Sequence, residues 1–117
     1  MVDCAELGVA EAELRLVRDI LARLAPGVRV LAFGSRVQGR ARRFSDLDLA
    51  LDARAPIDLG RMGALRRAFS DSDLPWRVDL VDMAAASPTF QEIIQRRHLV
   101  LQEGDGGFDT QPCSDPQ

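Results

Sequence analysis

The chain has 117 residues, a length that suits one compact domain rather than two. Apolar residues make up 46% and charged residues 28%, the balance of a globular protein and not of a disordered or fibrous one. The net charge of −3 and a sequence pI near 5.1 argue against a dedicated nucleic-acid binder, which carries a basic excess.

All fifteen basic residues are arginine, so lysine chemistry is excluded, a P-loop lysine included. Cys4 and Cys113 stand near opposite ends and make neither a disulfide framework nor a metal site; they are expected as free thiols in a reducing cytosol. No apolar run reaches the roughly 20 residues of a membrane helix. The opening MVDCAEL has no basic region and no apolar signal core. A cytoplasmic location is expected.

In chain order, residues 3–25 have the spacing of a helix, with Leu14, Val17, Leu21 and Leu24 on one stripe, Asp3 able to cap it and Ala25-Pro26-Gly27 ending it. Residues 28–33, VRVLAF, predict a buried strand. Gly34-Ser35 follows at once, and residues 35–41 are expected as a short helix. Residues 46–52, DLDLALD, alternate with period two, the mark of a strand with one apolar face. Leu59, Met62, Leu65 and Phe69 predict a helix over 58–70. WRVDLVD, residues 76–82, predicts a third strand. Ser87-Pro88 places an N-cap and a first-turn proline before a helix through about residue 97, and HLVLQ a short final strand. From Gly104 onward the chain is polar and rich in Gly and Pro, the composition of a disordered tail. The expected domain is 1–103. Alternating strands and helices imply an α/β (α+β) fold, a small sheet flanked by helices, mixed or parallel.

Chemistry concentrates between residues 34 and 79. Asp46 and Asp48, two apart on a strand, point to one face while Leu47 and Leu49 point into the core. Paired carboxylates repel, and a divalent cation removes that repulsion; Mg²⁺ takes one or two carboxylates together with substrate phosphates. Alternating Asp on an exposed edge strand is the bland alternative. Gly34-Ser35 sits where a strand ends and a helix can begin; Gly admits a phosphate close to the backbone, and helix-start N–H groups face the anion. A plain strand-to-helix turn is the alternative there. Asp79 is flanked by Val78 and Leu80 and is expected to be partly buried, which calls for a cation or hydrogen bonds. On a strand beside 46–52 it completes a three-carboxylate cluster. Asp82, offset by three, faces the other way and is expected to close the strand.

Together these residues read Gly34-Ser35, Gly39, Ser45-Asp46-x-Asp48, then Asp79. The pattern resembles the minimal nucleotidyltransferases of the DNA polymerase β superfamily, over roughly residues 14–103, and within it the branch whose members are antitoxins to HEPN-domain toxins. The resemblance implies a polymerase-β-like nucleotidyltransferase fold with two Mg²⁺ ions among Asp46, Asp48 and Asp79. It makes ATP the substrate, Gly34 and Ser35 its phosphate ligands, and Arg36, Gly39 and Ser45 further nucleotide-binding positions. Asp79 would also help activate an acceptor hydroxyl. For Arg36, Arg40, Arg42 and Arg43 the alternatives are phosphate neutralisation, a solvated basic loop, or docking of an acidic partner.

The resemblance further implies a HEPN ribonuclease toxin as partner, modified on a hydroxyl, which in some members of the branch is a tyrosine. This chain contains no tyrosine, so a modified tyrosine must lie in the partner. The catalytic core consumes the ordered length, leaving no accessory domain to present an acceptor. Neither membrane binding nor direct nucleic-acid binding is expected. Rival readings are an antitoxin that acts by complex formation without catalysis, and a transferase for a small-molecule hydroxyl. His98, near the end of the last helix, is read as a helix-terminal cation. Trp76 is read as core or partner contact.

Overall fold

Side-chain alternation along β2 (Leu47–Asp52) divides the molecule into two packed faces. Leu47, Leu49 and Leu51 are fully buried on one face, with Val30 and Ala32 of β1 (Arg29–Phe33) and Leu80 of β3 (Val78–Asp82). Against this face lie α2 (Glu11–Leu24), through Leu14, Val17, Ile20 and Leu21, and α3 (Leu59–Ser70), through Met62, Leu65 and Phe69. Ala50 faces the opposite way, with Leu31 and Phe33, and packs against Met83 and against Ile94 of α4 (Pro88–Arg96). The fold is thus a helix-flanked sheet, seen in a computed structural model that describes residues 4–39, 45–53 and 55–104.

The sheet is mixed, in the order β3-β2-β1-β4, where β4 is Leu99–Gln102. β1 runs antiparallel to both β2 and β4, and β2 runs parallel to β3. A parallel pair needs a crossover; α3 supplies it, starting from an Asp58 cap whose Oδ1 accepts the Arg61 N–H at 2.6 Å. At α4, the Phe90 N–H donates to Ser87 Oγ at 3.1 Å and Pro88 opens the first turn, as expected from Ser87-Pro88. Asp82 closes β3: its carboxylate accepts the Ala84 N–H at 3.1 Å and the Ile57 N–H at 2.9 Å.

Two local expectations differ from the structure. The helix expected over 3–25 is two helices, α1 (Cys4–Leu7) and α2, parted at Gly8. Gly8 has φ +70°, a left-handed conformation that stops a helix and that glycine adopts without a Cβ penalty. The short helix expected over 35–41 is, through residue 39, a run of turns in which the Val37 and Gln38 N–H groups both donate to the Gly34 carbonyl at 3.1 Å. Asp3, Arg40, Arg42, Arg43, Cys113 and the tail from residue 105 lie outside the described residues. Among the described residues no helix is long and apolar enough to cross a membrane.

Candidate active site

The carboxylates meet where α4 stops covering its face of the sheet. In register, Asp48 pairs with Phe33 on the antiparallel side and with Asp79 on the parallel side. Strand alternation turns Asp48 and Asp79 to the face of Ala50 and Val81. Asp46 stands two residues before Asp48. Phe33, the last residue of β1, packs edge-on against Phe90 of α4 with ring centroids 5.7 Å apart. This aromatic pair is the apolar floor beside Asp48, which is half-buried, whereas Asp46 and Asp79 are exposed. Asp79 therefore differs from the partly buried acid expected from its apolar neighbours. β3 is the outer strand of the sheet, so one flank of Asp79 is open to water.

None of the three acids makes an ion pair with a described residue. The Asp48 carboxyl is pushed above the ordinary carboxylate range, first by its burial and then by the charges of Asp79 and Asp46. No three His, Cys, Asp or Glu side chains among the described residues are already drawn together as a metal site.

Gly34 is fixed by its neighbour as much as by its backbone. Its φ is +83°, and a Cβ built there collides with Asp48 Oδ2 and lies 3.1 Å from Asp48 Cγ. The positive φ favours glycine, and a side chain there would push the Asp48 carboxylate aside. Gly39 is a different case: φ is +75°, yet a Cβ there meets nothing within 4 Å, so it is the backbone conformation that favours glycine. No described residue hydrogen-bonds the Ser35 hydroxyl or its N–H.

Residues 17–105 match the family model described as Polymerase beta, Nucleotidyltransferase. The chain belongs to that family. A relative from Haemophilus influenzae, named a probable protein adenylyltransferase MntA, is 48% identical over 103 residues, 88% of this chain and 90% of the relative. A crystal structure of a toxin–antitoxin with AMP-PNP aligns at TM-score 0.66 and 27% identity, covering 79% of this chain and 74% of that one. A complex of tri-AMPylated Shewanella oneidensis HEPN toxin with MNT antitoxin aligns at TM-score 0.59 and 22% identity, over 79% of this chain and 71% of that one, a likeness of fold. The expected small mixed sheet with flanking helices is the fold of this nucleotidyltransferase family.

The structure sets Asp79 beside Asp48 in register and Gly34 against Asp48, with Asp46 two residues upstream and Ser35 next in the turn. It treats Arg36 differently from the expected phosphate ligand. Arg36 is only 2% exposed, and its Nε, Nη1 and Nη2 donate to main-chain carbonyls. Burial lowers its pKa, with the nearby carboxylates of Glu13 and Asp46 opposing that shift. Ser45 contributes its carbonyl to Arg36. Trp76 is core, buried beneath the Arg36 guanidinium at 4.9 Å from the ring centroid. His98 lies one turn beyond Ile94, its Nδ1 3.0 Å from the Ile94 carbonyl at the end of α4. The role of Arg36 left little trace in the sequence, because arginine is rarely buried and its carbonyl partners Leu7 and Gly8 are distant along the chain.

Proposed function

We propose that this nucleotidyltransferase moves AMP from ATP to a hydroxyl of a partner protein, and that the partner is a HEPN-type toxin which the transfer restrains. The observation that carries the reading is the in-register pair Asp48–Asp79, with Gly34 pressed against Asp48 and Asp46 just upstream. Three carboxylates that form no ion pair with a described residue, one of them with a raised pKa, form a donor set of hard oxygens that suits Mg²⁺. Asp46, Asp48 and Asp79 would hold two such ions, which supply charge neutralisation at the attacking and leaving oxygens when bound. The relative's name and the AMP-PNP complex of the aligned toxin–antitoxin support adenylyl transfer in particular.

The reaction joins the acceptor oxygen to the α-phosphorus of ATP, breaks the bond to the β-phosphate oxygen, and releases pyrophosphate; the acceptor proton leaves to base. Each residue has a separate task. The unengaged Ser35 hydroxyl and N–H donate to phosphate oxygens, in a turn that Gly34 keeps close to Asp48. Asp79, exposed on the outer strand, is the acid an incoming hydroxyl meets, and it orients that hydroxyl and assists its deprotonation. Asp46 and Asp48 keep the triphosphate in register. Positioning and charge compensation carry most of the rate, as phosphoryl transfer requires. The cytoplasm, where ATP and a ribonuclease target coexist, is the compartment this function needs.

The test is label transfer. With Mg²⁺ and a HEPN-domain toxin as acceptor, α-labelled ATP should mark the toxin and γ-labelled ATP should not. Asp46→Asn/Asp48→Asn should abolish the mark. A stable complex with no mark from either label would leave neutralisation by binding alone, and adenylyl transfer would be wrong.

A further inference from the structure

Arg36 joins four segments that are far apart in sequence. Its Nε and Nη2 both donate to the Ser45 carbonyl, at 3.1 and 2.8 Å. Its Nη1 donates to the Leu7 carbonyl at 3.1 Å and the Gly8 carbonyl at 3.0 Å. The flat guanidinium lies over Trp76, 4.9 Å from the ring centroid. Three of those segments adjoin the acid cluster or its turn. Arg36 itself follows Gly34-Ser35. The Ser45 carbonyl belongs to the peptide that leads into Asp46. Trp76 precedes Arg77, whose carbonyl accepts the Leu47 N–H at 2.9 Å where the strands bearing Asp48 and Asp79 begin to pair.

From this geometry we infer that Arg36 is a positioning residue for the metal-binding carboxylates, acting through the Ser45–Asp46 peptide and the Trp76 segment, and not a ligand of the nucleotide phosphates. The inference rests on the reading that Asp46, Asp48 and Asp79 hold divalent cations. Two parallel donors on one carbonyl fix the direction of the peptide that carries Asp46, and a lone donor fixes only a distance. The planar fork of arginine can grip Ser45 on one side and the Leu7-Gly8 turn on the other; a lysine ammonium, a point charge on a flexible stem, cannot span both. Metal and substrate groups tolerate only about 0.5 Å of misplacement, so the quality of this grip is felt at the site. The guanidinium charge also stands near Asp46, which relieves part of the repulsion within the cluster before any cation binds. A phosphate ligand needs donors open to solvent; Arg36 is 2% exposed, and its Nε, Nη1 and Nη2 each donate to a main-chain carbonyl.

The test compares the wild-type chain with Arg36→Lys and Asp48→Asn. The probes are Mn²⁺ without nucleotide, followed by paramagnetic resonance of the free ion, and ATP at saturating Mn²⁺. Thermal melting establishes the temperature at which each protein is folded. Arg36→Lys should weaken Mn²⁺ binding about tenfold per folded molecule and change the Kd of ATP at saturating Mn²⁺ less than about twofold. The reverse pattern, unchanged Mn²⁺ affinity with weakened ATP, would make Arg36 a phosphate ligand and overturn the inference. A lower Tm with both affinities unchanged would make it a purely structural residue and overturn it too. Should Arg36→Lys not stay folded, Trp76→Phe carries the same test with about a threefold loss of Mn²⁺ affinity, and no loss there counts against the inference. If wild type binds Mn²⁺ no better than Asp48→Asn, the metal reading itself fails and takes this inference with it.

Discussion

The two ends of β2 carry the same side chain on the same face and receive opposite treatment. At the far end Asp52 stands in register with Arg29, and Arg29 Nη1 meets Asp52 Oδ2 at 3.3 Å. At the near end Asp48 stands in register with Phe33 and with a second acid, Asp79, and no described cation pairs with it. One carboxylate is neutralised across the strand pair; the other is set among like charges and partly taken out of water. Folding alone accounts for the first arrangement. The second raises the Asp48 pKa and works against the fold near neutral pH, and on the proposed reading a bound cation offsets that cost.

The largest effect is expected from breaking the unpaired end. Asp48→Asn should lower adenylyl transfer by at least about 10³-fold, the rate equivalent of roughly 4 kcal/mol. The same substitution should raise the Tm of the metal-free protein near pH 7. The raised pKa of Asp48 means that its contribution to stability is present at low pH and lost as pH rises through the folded-state pKa. Near neutrality the charged side chain therefore works against the fold, and removing the charge removes that penalty. The gain should be small, a few degrees at most, because the group is partly wetted. Loss of transfer together with a lower metal-free Tm would mean that Asp48 is stabilising and that the two ends of β2 are alike.

Gly34→Ala comes next. An alanine there has to hold φ near +83°, which costs about 1–2 kcal/mol, and its Cβ collides with the Asp48 carboxylate. Transfer should fall about 10²-fold, with a marked drop in Tm. Gly39→Ala is the matched control: the same backbone cost, with no neighbour within 4 Å. It should lower Tm and leave Mn²⁺ affinity within about twofold. Equal losses of Mn²⁺ affinity in the two variants would show that turn conformation matters and contact with Asp48 does not.

A third effect concerns pH. Protons and cations compete for Asp48, whose raised pKa lets the proton hold on to a higher pH than usual for a carboxylate. Transfer should fall on the acid side, and raising Mg²⁺ should move that limb to lower pH. A limb that ignores Mg²⁺ would assign the acid loss to some other group.

What could be read from sequence follows from how local each feature is. The β2 strand and its Asp-x-Asp were legible because period two is a local signal, and Ser87-Pro88 announced α4 for the same reason. Asp79 was legible as a member of the cluster but not in its exposure, because sequence does not say that β3 is the outer strand. The burial of Arg36 was illegible because its carbonyl partner Gly8 lies 28 residues away. The break at Gly8 had a local signal, the glycine itself, inside an apolar stripe that reads as one continuous helix. The turns after Gly34 were expected as a helix because a strand followed by Gly-Ser has that local form. The antiparallel return of β2 beside β1 was not visible in that stretch.

The smallest effect sharpens the comparison from its paired end. Asp52→Asn removes the ion pair with Arg29 and leaves a side chain of nearly the same shape. Both partners are partly solvated, so the pair contributes on the order of 0.2–1 kcal/mol. Tm should fall by no more than about 5 °C, and less at high salt, where the pair is already screened. Transfer and Mn²⁺ affinity should stay within about twofold of wild type, because Asp52 is four residues along the strand from Asp48 and has its own counter-charge. Melting at low and high salt, alongside Mn²⁺ titration, checks both halves. A large loss of Mn²⁺ affinity in Asp52→Asn would mean that the whole acidic face of β2 binds cations as a field, and the distinction between its two ends would disappear.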